Sequence, residues 1–304
     1  MSNSVLTRDQ ILAQLLQALQ DQPDLLALWE AGSTATGRKD QYSDIDLMLL
    51  VKDGTAEALG ALVEAALQAL APIDLKLEVP RPSWHGHWQT FWHLEGCPLD
   101  LQVDCCIMEE SKGNRFLEPE LHGTPLVYVD RGAISEESAS LAPQENAPWR
   151  GAISEESSRV APQENTPRRG GYTQVGPTDP APIAAAIAKR LAFHRDRVAL
   201  FRGFVAKELR RQGLTDAVSF YQGVLIQPII ELLRMAHDPW RYNFGARYLR
   251  HYLPEARLRQ IERLSFVGSP EELGVKAVEA YELFQELVAE LASTDWIAHL
   301  EAHR

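Results

Sequence analysis

Cysteine is scarce in this sequence: Cys97, Cys105 and Cys106 are the whole complement of a 304-residue chain. An odd count with two adjacent residues does not make a disulfide framework, and no basic, apolar leader opens the chain; both point to the reducing cytoplasm. Long apolar runs are lacking as well. The longest are broken by Glu, Gln, Arg or Pro short of the ~18 to 20 residues that cross a bilayer, so no membrane role is expected. Positive charge is in deficit, with 30 Lys and Arg against 42 Asp and Glu and a formal net charge of -12. That argues against broad, sequence-independent nucleic-acid binding, leaving a local basic patch as the exception, and favours small-molecule ligands. What is present is 45% hydrophobic residues, enough at this length for a substantial core in about two domains.

The fold class read from the pattern is α+β. Thr7 to Leu19 places Ile11, Leu12, Leu15, Leu16 and Leu19 at helical spacing behind a Thr7 cap, with Gln10 set for a capping box. Leu25 to Trp29 and Ile45 to Val51 read as paired strands around a polar loop, and Ala56 to Leu70 as a helix. Ile73 to Val79, Trp88 to Leu94 and Leu99 to Met108 read as further strands of a mixed sheet. From Pro182 onward the period is helical: Ile183 to Arg211, Ala217 to Ala236, Phe244 to Tyr252, Glu255 to Leu264 and Pro270 to Leu291. Between these halves RGAISEESASLAPQENAPW, from Arg131, is followed at once by RGAISEESSRVAPQENTPR, from Arg150. A tandem duplication so poor in apolar residues cannot stack into a core. The expected organisation is therefore a mixed α/β domain over 1–132, a flexible linker or insertion over 133–180 and a helical domain over 181–304.

The stretch GSTATGRKDQYSDIDL, Gly32 to Leu47, carries the chemistry. Strand side chains alternate, so Asp44 and Asp46 are expected on one face and Ile45 and Leu47 on the other. Two converging carboxylates suit Mg²⁺, which favours oxygen ligands and substrate phosphates. Gly32 and Ser33 offer backbone N–H groups and a hydroxyl where the chain can approach a phosphate closely, and Arg38 and Lys39 can neutralise the rest of a triphosphate.

Gly-Ser followed after a short polar loop by Asp-x-Asp on a strand resembles the signature of the polymerase-β-like nucleotidyltransferase superfamily. The match is close to its small bacterial members, of the aminoglycoside and lincosamide nucleotidyltransferase kind. The resemblance implies a small mixed sheet flanked by helices, two Mg²⁺ ions, ATP or another nucleoside triphosphate, and nucleotidyl transfer with release of pyrophosphate. It also implies a third carboxylate on a neighbouring strand. PLDLQVDCCIM offers Asp100 and Asp104, both expected on one strand face, and Asp104 is preferred because it lies mid-strand between Val103 and Cys105. The later segments NRFLEPELHG, VYVD, FYQGVLIQPIIELLRM and RYLRHYLP resemble a bacterial branch that joins such a domain to a helical one.

In some related enzymes a further carboxylate serves as base, and Glu231 or Glu120 is the candidate here. Arg234, Arg241, Arg247 and Arg250 with Tyr242 and Tyr248 form a basic, aromatic stretch. It reads first as a solvated helix surface and second as a wall for nucleotide or acceptor, through Arg247 and Tyr248. The histidines of WHGHW read as an ordinary sheet surface or substrate rim rather than a metal site, and Cys105 and Cys106 as small core residues on opposite faces. Three functions compete: nucleotidyl transfer to the hydroxyl of a small molecule such as an antibiotic, the same transfer to a tRNA or protein, and a non-catalytic nucleotide-binding module.

Overall fold

Thr7 caps the first helix, α1 (Arg8–Leu19), through the reciprocal box with Gln10, and the helix buries Ile11, Leu12, Leu15 and Leu19. The computed structural model describes residues 6–81, 83, 85–134, 171–172 and 176–304. All but the first four residues of the tandem repeat, and most of the expected linker, lie outside them. The described residues belong to two compact units that meet in sequence between Thr178 and Asp179.

The first unit is a seven-stranded mixed sheet in the order β3-β4-β5-β2-β1-β6-β7. Its strands are β1 (Leu25–Glu30), β2 (Ile45–Val51), β3 (Ile73–Glu78), β4 (Trp88–Leu94), β5 (Val103–Glu109), β6 (Leu126–Asp130) and β7 (Gly171–Tyr172). A short helix α2 (Gly32–Ala35) follows β1, α3 (Ala56–Gln68) follows β2, and α4 (Pro119–His122) precedes β6. The neighbours pair antiparallel except β2 and β5, which run parallel, with α3, β3 and β4 between them in the chain.

Alternation on β2 and β5 sorts the side chains into two layers. Ile45, Leu47, Leu49 and Val51 join Val103, Cys105 and Ile107 in a core against α1 and α3. Leu50, Cys106 and Met108 face the other way, with Trp29 and Leu117. Cys105 and Cys106 thus go to opposite cores, as their adjacency requires. β5 begins later than its apolar pattern suggests, at Val103, because the chain turns at Pro98 to Leu101, where Leu101 N–H bonds Pro98 O. Asp100 is consequently an exposed turn residue and not, as expected, on the strand face of Asp104.

The second unit is helical: α5 (Pro180–Phe201), α6 (Gly203–Arg210), α7 (Leu214–Phe220), α8 (Gln227–His237), α9 (Glu255–Ser265), α10 (Pro270–Leu291) and α11 (Trp296–Ala302). The expected helix over 183–211 divides between α5 and α6 beside Gly203, a weak helix former. The one expected over 217–236 widens to π geometry over Tyr221–Ile226. Pro228 has no N–H to return to the preceding turn, and a π insertion takes up such a mismatch. Arg197 Nη1 bonds the Gly223 carbonyl inside the widened turn, at 2.7 Å. The segment over 244–252 is irregular with a 3₁₀ turn at Leu249–His251. No helix among the described residues is long and apolar enough to cross a membrane.

Candidate active site

The parallel register sets Asp46 beside Asp104. Each is the second residue of its strand, flanked by buried neighbours, Ile45 and Leu47 for one and Val103 and Cys105 for the other. Burial of those flanks on the α1–α3 side turns both aspartates to the opposite face, where they are half-buried. Carboxylates at the strand spacing of about 5 Å repel by roughly 3 kcal/mol at an effective dielectric near 20. A divalent cation between them would relieve that repulsion.

Gly32 explains the Gly-Ser of the sequence. Its φ is +55°, and a Cβ there would lie 1.6 Å from Asp46 Oδ2, so no other residue leaves space for the carboxylate. Ala31 N–H bonds Asp46 O at 2.9 Å, which fixes the turn to β2. Ser33 is buried, and its Oγ has no hydrogen-bond partner. Arg38 N–H closes the turn onto Ser33 O at 2.8 Å, and Lys39 Nζ lies 3.6 Å from Asp9.

β2 begins at Ile45, where its apolar run places it, and Asp44 is the residue just before it. Its carbonyl accepts from Arg8 Nε at 2.9 Å. The same guanidinium pairs with Glu30, buried at 1% exposure, which also accepts from the hydroxyls of Thr34 and Tyr128, the latter at 2.8 Å. Arg8, Glu30 and Tyr128 thus brace the chain behind Asp44.

Asp104 is braced from β4. Gln89 Nε2 donates to Asp104 Oδ1 at 2.7 Å, and Gln89 Oε1 lies 3.0 Å from His85 Nε2. His85 and His87, expected on a sheet surface or a substrate rim, sit in the turn before β4, buried and stacked with ring centroids 5.5 Å apart. Burial draws the His87 imidazole down to about 4 and lowers His85 as well. His87 Nε2 lies 2.7 Å from Asn114 O. Phe116 meets both rings edge-on at 6.0 and 5.7 Å.

The other candidates stand elsewhere. Glu120 accepts from Thr178 Oγ1 at 2.5 Å and so ties α4 to the end of the first unit. Glu231, in the helical unit, takes a two-pronged bond from Arg190 at 2.7 and 2.8 Å and lies 2.7 Å from His194 Nε2. Burial raises its carboxyl, but Arg190 and His194 outweigh that and bring it to about 2. Both oxygens are engaged and proton affinity is low, so Glu231 is a poor base; the ion pair itself explains the residue. Arg234, expected on a solvated surface, is 1% exposed and bonds Asp238, Gly245 O and Arg247 O, which folds the loop after α8 around it. Arg247 lies over the Tyr248 ring at 5.2 Å.

Among the described residues no three His, Cys, Asp or Glu side chains gather into a metal-holding cluster. Asp44, Asp46 and Asp104 therefore do not form a closed cage. Mg²⁺ is commonly held by one or two carboxylates with waters and substrate phosphates. The Asp46–Asp104 pair, the glycine cradle against Asp46 and the unsatisfied Ser33 hydroxyl fit that kind of site.

No protein-family model matches this chain, and no curated protein does. Among solved structures, an aminoglycoside 6-adenyltransferase from Bacillus subtilis aligns at a TM-score of 0.29 and 11% identity, over 98% of this chain and 97% of that one. At that score the two share too little geometry for the likeness to bear on function.

Proposed function

We propose that this protein is a Mg²⁺-dependent nucleotidyltransferase that moves a nucleotidyl group, AMP from ATP in the simplest case, to a hydroxyl of a small acceptor. The observation that carries the reading is the in-register Asp46–Asp104 pair with Gly32 packed against the Asp46 carboxylate. A cation offsets the mutual repulsion of two such carboxylates, and the Gly32–Ser33 backbone beside them offers N–H groups to a phosphate. The net charge of -12 favours a cationic acceptor.

In this reading Asp46 and Asp104, with Asp44 at the rim, hold Mg²⁺. Ser33 Oγ and the Gly32–Ser33 backbone orient the phosphates, and Arg38 and Lys39 meet the outer ones. Bound Mg²⁺ would supply charge neutralisation on the triphosphate and make the acceptor hydroxyl a better nucleophile. The protein's own share is positioning: a rigid sheet fixes two of the carboxylates, and Arg8 and Gln89 fix the chain and carboxylate around them.

The test is Mg²⁺-dependent pyrophosphate release from each triphosphate with a panel of aminoglycoside-like, lincosamide-like, tRNA and protein acceptors. It is run on the wild type and on Asp46→Asn, beside thermal melting. Removing one preorganised charge is expected to cost about a hundredfold or more in rate, while the metal-free fold is kept or slightly stabilised. Equal rates in both proteins remove Asp46 from the chemistry. Tight Mg²⁺-nucleotide binding without turnover on any acceptor makes the protein a nucleotide-binding module.

A further inference from the structure

The bonds behind Asp104 run in one direction only. An ionised carboxylate accepts and cannot donate, so the Gln89 amide nitrogen faces Asp104 and its oxygen faces His85. His85 Nε2 must then carry a proton. Its Nδ1 must be bare, and the backbone N–H of His87 indeed points to it at 3.2 Å. Ser83 Oγ lies 3.3 Å from the same Nδ1, but its proton is committed to His87 O at 2.6 Å. His87 N–H, His85 and Gln89 thus form an ordered series of donors ending on the Asp104 carboxylate, with one tautomer and one amide orientation that satisfy it.

The surroundings hold that tautomer in place. Asn114 and Phe116 both have left-handed backbone, at φ 60° and 56°. Asn tolerates this conformation, but an aromatic residue bears it at a cost of order 1–2 kcal/mol, and it persists where packing enforces it. Here Asn114 O takes the His87 ring nitrogen, and Phe116 wedges against both imidazoles. A left-handed Asn and a strained Phe thus hold two buried histidines that the nucleotidyl-transfer reading does not use.

The geometry points to Gln89 and His85 as positioning residues that hold the Asp104 carboxylate in its ligating orientation, with neutral Nε2–H His85 as the anchor. The inference rests on the proposed function, because it assigns Asp104 a ligand's role. Its reach is ordinary for such partners: removing a group that orients a metal-ligating side chain costs about 10- to 100-fold in metal affinity or activity.

The test uses the full chain in four forms: wild type, Gln89→Met, His85→Leu and His85→Gln. The last keeps an amide donor near the place of Nε2. Each is titrated with Mn²⁺ by electron paramagnetic resonance, alone and with a non-hydrolysable ATP analogue. Histidine-¹⁵N spectra then report the His85 tautomer in wild type and Gln89→Met. Mn²⁺ affinity is expected to fall about 10- to 100-fold in Gln89→Met and His85→Leu and to recover most of that loss in His85→Gln, with cooperative melting kept throughout. The wild type should show His85 as the Nε2–H tautomer, lost or mixed in Gln89→Met. Unchanged Mn²⁺ affinity in Gln89→Met, no recovery in His85→Gln, or the Nδ1–H tautomer in the wild type overturns the positioning role while the transfer reading stands. A wild type that binds Mn²⁺ neither alone nor with the ATP analogue overturns the transfer reading, and the ligand-positioning role with it, whatever the tautomer.

Discussion

Arg8 reaches from the first residue of α1 to the backbone carbonyl of Asp44, 2.9 Å away, while its guanidinium pairs with buried Glu30. One side chain therefore ties the N-terminal helix to the chain that leads into β2. Arg8→Met keeps the length but leaves the Glu30 carboxylate without its cation, and breaking a buried pair from one side typically costs about 3–5 kcal/mol. Denaturant unfolding should show a loss near the lower figure, since Tyr128 and Thr34 still donate to Glu30. Adding Glu30→Gln to Arg8→Met should restore part of it, and a double variant no more stable than the single one would contradict the pairing as the cause.

Gly32→Ala tests the cradle. The new methyl would meet Asp46 Oδ2 at 1.6 Å in a backbone of φ +55°, so the carboxylate has to move. The left-handed backbone adds about 1–2 kcal/mol of strain. We expect a modest fall in thermal midpoint with loss of most metal affinity and of pyrophosphate release. Wild-type metal affinity in the Gly32→Ala protein would show that Asp46 does not need its present position.

His87 sets a pH dependence in the sheet unit. Its folded pKa is drawn down by burial to about 4, against an ordinary value near 6.5. The unfolded chain thus takes up the proton first as pH falls. Stability from this group is complete above pH 6.5 and is lost as pH drops from there through about 4. His87→Gln keeps a donor for Asn114 O without titrating, and should flatten the unfolding free energy between pH 6.5 and 4. A slope identical to wild type would assign the dependence to other groups.

Glu231 acts in the same direction at lower pH. Its folded pKa of about 2 lies below the ordinary 4.5, so the ion pair's contribution is present above pH 4.5 and disappears as pH falls through 2. Glu231→Gln should destabilise the chain by a few kcal/mol at pH 7, because Arg190 and His194 lose their shared partner. The gap between wild type and variant should close on acidification. If Glu231→Gln instead folds normally and abolishes turnover alone, the carboxylate has a chemical role after all.

Local chemistry carried much of the fold in legible form. The Thr7–Gln10 box, the apolar runs of β2 and β4, and the Val103-Asp104-Cys105 alternation each lie within a few residues, and each appears where its pattern places it. What was not legible depends on partners far apart in the chain. Gln89 reaches Asp104 across a strand pair, Tyr128 meets Glu30 from β6, and Arg190 meets Glu231 from another helix. Nothing in the residues near Glu231 distinguishes a base from half of an ion pair. Asp100 was misplaced for a related reason: alternation continues on paper through Leu99 and Leu101, whereas the turn at Pro98 ends the ladder.

β2 and β5 lie side by side and parallel, and everything from α3 to β4 is threaded between them. A hairpin of β1 and β2 can close locally, carrying Gly32 and Asp46, but Asp104 arrives only after that long excursion has folded back. During synthesis on a ribosome, the chain emerges with its glycine turn and first aspartates before β5 has left the exit tunnel. Half the pair exists early, and it acquires its neighbour at a late, topologically demanding step. A nascent chain stalled before β5 would expose the edge of β2, so the order of emergence links completion of the candidate site to protection of the strand from misassembly.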